Sequence, residues 1–125
     1  MIATQDISKT INNKKLFKFI NLIIEDKKIT GLLGANGAGK TSLFRAIAGL
    51  TKIDSGKLML NGKDVTNLNL EQRAKLGLSY VPQENSLFEE LSLIENIKLV
   101  MELKFNAITK DQEKKLSKLL DKMGL

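Results

Sequence analysis

The sequence contains no histidine, no cysteine and no tryptophan, and only one proline and one tyrosine. Without cysteine there is no disulfide framework, thiolate zinc site or thiol nucleophile. Without histidine there is no histidine general base, no Ser-His-Asp triad and no imidazole metal ligand. The apolar runs are short, far below the ~20 residues needed to cross a bilayer. The start, Met1-Ile2-Ala3-Thr4-Gln5-Asp6, has no basic region leading into an apolar stretch. These features predict a cytoplasmic chain, or one held at a membrane only through a partner, with no direct insertion. Arginine is scarce too: Arg45 and Arg73 are the only two among 20 basic residues, so the net charge of +6 is carried by lysine. Arginine is the preferred residue for bidentate recognition of phosphates and bases. With few aromatics for stacking, the basic balance reads as a solvated lysine surface and no nucleic-acid partner is expected.

What remains is 125 residues at 42% hydrophobic, enough to bury a core and close to the commonest domain size. Residues 16–24 (LFKFINLII) are rich in β-branched and aromatic side chains and predict a strand. Glu25-Asp26-Lys27-Lys28 predicts a charged hairpin tip, and Ile29-Thr30-Gly31-Leu32-Leu33 a short buried strand. A helix is expected from Lys40 to Ala48, stopped by Gly49. Turns at Asp54-Ser55-Gly56 and Asn61-Gly62 bracket a strand at Lys57–Leu60. A short helix over Leu70–Leu76 precedes a strand at Leu78–Val81, ended by Pro82. Ser92 and Glu95 form a capping box opening a helix to about Lys104. Thr109 and Gln112 open another, with an apolar stripe of Leu116, Leu119, Leu120 and Met123. The expected outline is strands and helices around a parallel core strand, with two helices appended.

Between the expected strand and helix lies Gly34-Ala35-Asn36-Gly37-Ala38-Gly39-Lys40-Thr41, which fits G-x-x-x-x-G-K-[ST] in the context its mechanism requires. Backbone N–H groups of such a loop converge on phosphate oxygens, and the helix N-terminus adds partial positive charge. Gly37 and Gly39 permit close approach and positive φ. Lys40 is the residue for the β/γ-phosphates, Thr41 for Mg²⁺ through its hydroxyl, and Ser42 for the α-phosphate.

The stretch 34–50 (GANGAGKTSLFRAIAGL) resembles the phosphate-loop region of ABC-type ATPases. Residues 54–66 (DSGKLMLNGKDVT) resemble that family's hairpin, and YVPQ at 80–83 its glutamine loop. Order and spacing match together, over nearly the whole chain. The stretches 71–88 and Leu91–Ile97 are similar to ATPase subunits of bacterial lipopolysaccharide-export transporters and, less closely, of branched-chain amino-acid importers. The resemblance implies an α/β fold: a P-loop NTPase core of ABC type with an N-terminal antiparallel β-subdomain and the start of a helical subdomain. Residues 1–33 would form the β-subdomain and phosphate-loop strand, 34–83 the phosphate loop to the glutamine loop, and 84–125 the helical start.

It further implies ATP and Mg²⁺ as cofactors, with Gln83 contacting the metal and sensing the γ-phosphate. Ser86, Leu87 and Phe88 would line a groove for membrane-embedded transporter subunits. A second nucleotide-binding subunit would complete a homodimer at the cytoplasmic face of the inner membrane. Where the family stacks an aromatic residue on adenine, this chain has Ile11, which offers apolar contact but no π-stacking; Phe17 or Phe19 could substitute, though both are expected to pack in the sheet. Lys28 replaces a glutamate common in the family. No LSGGQ-like segment and no switch histidine occur, and Leu22–Asp26 lies too early to be a carboxylate-bearing strand of the nucleotide site. The chain therefore reads as the N-terminal portion of such a subunit, truncated before those motifs, with a non-hydrolysing nucleotide- or partner-binding remnant as the alternative.

Overall fold

In the computed structural model, residues 1–84 and 86–124 are described; Asn85 and Leu125, both within stretches quoted above, lie outside them. The chain divides into two compact units, Met1–Val81 and Pro82–Leu125.

The first unit is built on an antiparallel sheet of β1 (Ile2–Ile11), β2 (Lys14–Ile24), β3 (Ser55–Leu60) and β4 (Lys63–Asp64), in the order β2-β1-β3-β4. β1 and β2 are joined by Asn12-Asn13, both in left-handed conformation (φ 47 and 61), as a two-residue hairpin loop that matches strand twist requires. The sequence does not announce β1, because its buried side chains change parity: Thr4 and Ile7 both point inward. A bulge causes the change. Asp6 sits at φ 48, and its side chain and backbone N–H exchange hydrogen bonds with Asn21 (2.7 and 2.8 Å). On the other side Gly56 lies so close that a Cβ there would meet Gln5 O at 2.4 Å, so this strand crossing needs glycine. Opposite, Phe19 occupies φ 51 and is 59% exposed, against the expectation that it packs in the sheet. The bulge turns it outward, whereas Phe17 is buried as expected.

Helix α1 (Lys40–Ala48) has the expected bounds and is closed by Gly49 at φ 89. Its Leu43, Ala46 and Ile47 join Ile7, Phe17, Leu58, Leu60, Val65 and Leu78 in one apolar cluster. Helix α2 (Leu70–Lys75) begins with a capping box between Asn69 and Gln72.

Two expected strands are absent. Residues 29–33 and 78–81 join no ladder, and Ile29, Leu33 and Val81 are almost fully exposed. The central sheet is antiparallel rather than organised around a parallel strand. A parallel ladder needs neighbours that run alongside, and among the described residues no strand pairs with either segment. The charged stretch at 25–28 does turn, with Lys27 at φ 60 and Lys28 paired with Glu25, but it leads into no second hairpin arm.

In the second unit, α3 (Leu93–Phe105) and α4 (Lys110–Met123) start at the expected capping boxes, Ser92 with Glu95 and Thr109 with Gln112. On α4 the expected stripe is only partly covered: Leu116 is buried, while Leu119 and Met123 are exposed.

Four carboxylates sit in arrangements that favour their charged form. Hydrogen bonds from Lys9 and the Thr10 backbone lower the pKa of Asp54; Thr66 does the same for Asp64, Lys75 for Glu71 and Ser92 for Glu95. A folded-state pKa below the unfolded one stabilises the fold above the ordinary carboxylate range, and that stability is lost as pH falls through the folded value. Thermal melts are therefore expected to be flat between about pH 5 and 7, where histidine is the only side chain that ordinarily titrates, and to fall below about pH 4. A transition centred between pH 6 and 7 would contradict this reading.

Candidate functional site

The glycine-rich loop occupies residues 34–39 between the 29–33 segment and α1. The N–H of Ala38 donates to Ala35 O (3.2 Å), closing a turn, and the first helical bond runs from Leu43 N–H to Gly39 O (2.9 Å). Gly39 stands at φ 88, and a Cβ there would lie 2.4 Å from Leu16 O on β2. Only glycine lets the loop enter the helix this close to the sheet.

Lys40, the first residue of α1, turns its ammonium back into the loop and donates to Gly34 O (2.5 Å) and Ala35 O (2.8 Å). α1 has no capping side chain and no acidic residue in its first turn. The first amides of a helix have no intrahelical acceptor and carry the positive end of its dipole. Thr41 is exposed and Ser42 half-buried at that same end. Bare amides, an ammonium and two hydroxyls, with no acid among them, make a donor set for a multiply charged anion.

The chemistry of the residues fits ATP and Mg²⁺. Mg²⁺ is held through few protein oxygens together with phosphates and waters, and the Thr41 hydroxyl is the type of oxygen a phosphate loop contributes to it. Among the described residues there is no cluster of three or more acidic, histidine or cysteine side chains.

Gly34, Ala35, Asn36, Gly37, Ala38, Gly39, Lys40, Thr41 and Ser42 thus form one continuous loop and helix start. Ile11 closes β1 beside the Asn12-Asn13 turn and is 45% exposed. Gln83 belongs to the second unit, in an exposed bend. In that unit Leu87 and Phe88 are more than half exposed. With Ser86 they line a groove of about 320 Å³ whose other wall is Asn96, Ile97, Val100 and Met101 of α3.

Two polar side chains that neither composition nor motif singled out hold these features in shape. Asn96 is 7% exposed; its amide donates to the carbonyls of Phe88, Leu91 and Ser92 (3.0–3.1 Å) and its oxygen accepts from Phe88 N–H (2.8 Å). It pins the 88–92 turn that presents Phe88. Arg73, on α2, is 3% exposed and donates to Ala46 O and Ile47 O at the end of α1 (2.7 and 2.6 Å), and to Thr66 O (3.1 Å).

An antiparallel sheet backing a phosphate-loop helix, with a separate helical unit following, is also the arrangement of solved ATP-binding cassettes. An ATP-binding cassette of an ABC transporter superposes with a TM-score of 0.80 at 23% identity, over 97% of this chain and 53% of the other. Another cassette, solved as a dimer in a post-hydrolysis state bound to ADP and Pi, superposes with a TM-score of 0.75 at 21% identity, over 92% of this chain and 53% of that one.

The family model of ABC transporters matches residues 17–125, and the chain belongs to that family. Among curated relatives, the lipopolysaccharide export system ATP-binding protein LptB of Haemophilus influenzae is 31% identical over 125 residues, all of this chain and 52% of the relative. The chain spans about half the length of the curated relatives it matches. Among the described residues no helix is long and apolar enough to cross a membrane.

Proposed function

We propose that this chain is part of the ATP-binding subunit of an ABC transporter and binds ATP-Mg²⁺ through residues 34–42. The observation that carries the reading is the loop itself: Lys40 is folded into it, and it ends at a helix start free of capping side chains and acids. In this reading the loop amides and Lys40 hold the β- and γ-phosphates, Ser42 the α-phosphate, and Thr41 supplies a metal-facing oxygen. Catalysis of phosphoryl transfer is mostly positioning and charge stabilisation, and Lys40 is the residue here that provides both. Bound Mg²⁺ supplies further charge neutralisation between the phosphates. Gln83 offers a side-chain amide that can both accept and donate, suited to the metal and nucleophilic-water region. Ile11 provides an apolar edge for adenine.

The groove of Ser86, Leu87 and Phe88 receives a segment of the membrane-embedded subunits, so the chain works peripherally on the cytoplasmic face of the inner membrane. A second nucleotide-binding subunit faces it, as in the dimeric cassette that shares its fold. Likeness to LptB supports lipopolysaccharide or a related substrate as the cargo.

Isothermal titration with ATP-Mg²⁺ tests the binding step. One site per chain is expected, competed by ADP and by inorganic triphosphate. A heat signal competed by adenosine but not by triphosphate would refute phosphate recognition by the loop.

A further inference from the structure

Arg73 is a buried cation. Among the described residues no aspartate or glutamate pairs with it, and its Nε has no hydrogen-bond partner. Among the described residues its partners are carbonyl oxygens: Ala46 and Ile47 in the last turn of α1, and Thr66. Burying a charge with no opposite charge is costly. Ala46 O already accepts the Gly49 N–H, and hydrogen bonds to helix-end carbonyls could be made by neutral side chains, so satisfying α1 does not by itself explain a full guanidinium. Burial lowers the Arg73 pKa, but an arginine keeps its proton throughout the accessible pH range.

The same helix begins at Lys40. α1 has nine residues, so its first amides lie about 13 Å from the carbonyls that Arg73 holds. A cation at the C-terminal end of a helix is favourable to the dipole, and it cancels the negative pole that would otherwise oppose an anion at the far end. The contact is also close. Gly49, which closes α1, packs so tightly on the segment before α2 that a Cβ there would lie 2.8 Å from the Asn69 carbonyl carbon.

We infer that Arg73 is a positioning residue for the phosphate loop: it fixes α1 by its end and adds a buried positive charge that favours ligands of higher negative charge at the loop. The inference rests on the reading of residues 34–42 as a phosphate site. It goes further in assigning part of the selectivity among nucleotides to a residue that touches none of them.

The size follows from Coulomb's law. A unit charge about 15 Å from a ligand charge, at effective dielectrics of 20 to 40, alters affinity about two- to sixfold per unit of ligand charge. The path runs through protein, so salt screens it less than it would a surface pair.

The test uses the 125-residue chain and measures dissociation constants for ATP, ADP and adenosine at low ionic strength, in the wild type, Arg73→Gln and Arg73→Lys. Glutamine keeps donors for the helix-end carbonyls but removes the charge. ATP carries one more negative charge than ADP, so the ATP-over-ADP preference is expected to fall about threefold in Arg73→Gln. Adenosine binding should not change, and Arg73→Lys should keep the wild-type preference. A merely structural role would weaken all three ligands together, leaving the preference intact, and that result overturns the inference. Arg73→Lys decides the matter independently if the glutamine variant does not fold: loss of the preference in a folded, still-charged variant also overturns it. If the wild type binds ATP no better than Lys40→Ala does, the phosphate-site reading itself fails. If ATP binding is Lys40-dependent but the preference ignores Arg73, only the present inference fails.

Discussion

Replacing Lys40 by alanine is expected to weaken ATP-Mg²⁺ binding about 100-fold, the largest effect of any single side chain in the loop. One charge pair at 4 Å is worth about 4 kcal/mol at an effective dielectric near 20, and desolvation of the ammonium cancels part of that. A net loss of about 2.7 kcal/mol corresponds to a hundredfold change in affinity. Among the described residues, Lys40 in the free protein holds the carbonyls of Gly34 and Ala35, at a half-exposed position. Its removal should therefore lower the unliganded Tm by no more than about 7 °C, since the two exposed hydrogen bonds contribute about 1 kcal/mol each at most. The ligand-induced shift behaves differently. At a concentration 100 times Kd, ATP-Mg²⁺ adds about 2.7 kcal/mol to the wild type, or about 10 °C for a unit of this size, and almost nothing to Lys40→Ala. Equal shifts in the two proteins would remove Lys40 from the site.

The second large effect concerns the sheet. Leu58 is fully buried on β3, inside the cluster that joins the sheet to α1. Leu58→Ala should cost about 3 kcal/mol, combining lost transfer free energy with the cavity left behind. That is a large share of the 5–15 kcal/mol typical of a domain, so the variant should unfold at much lower urea. Ile29→Ser is the informative contrast. Ile29 is fully exposed, so its replacement should change stability by less than about 0.5 kcal/mol. If Ile29→Ser cost as much as Leu58→Ala, residues 29–33 would have to be packed as the strand their composition suggests.

That contrast shows which features the sequence carried. The phosphate loop, α1 and the capping boxes at Ser92 and Thr109 depend on residues a few positions apart, and their chemistry is written locally. The strand at 16–24 was equally plain from its composition. The 29–33 and 78–81 segments have strand composition, but a strand exists only with a partner, and pairing is not a local property. β1 was hidden because the Asp6 bulge breaks its alternation. The outward turn of Phe19 follows from the same pair of bulged strands. Arg73 acts on carbonyls of α1 that the fold brings close from as far as 27 residues away in sequence, so no pattern of neighbours could reveal it, whereas Asn96 binds carbonyls only four to eight residues back through contacts that have no capping-box signature.

The central claim is that residues 34–42 cradle the phosphates of a nucleotide. Backbone amide chemical shifts during titration with ATP-Mg²⁺ test it most directly, because each N–H reports on its own acceptor. The largest changes are expected at Gly37, Gly39, Lys40, Thr41 and Ser42, smaller ones at Ile11, and none of comparable size in the β3–β4 hairpin. Saturable binding that leaves the amides of 37–42 unmoved while shifting residues elsewhere would contradict it.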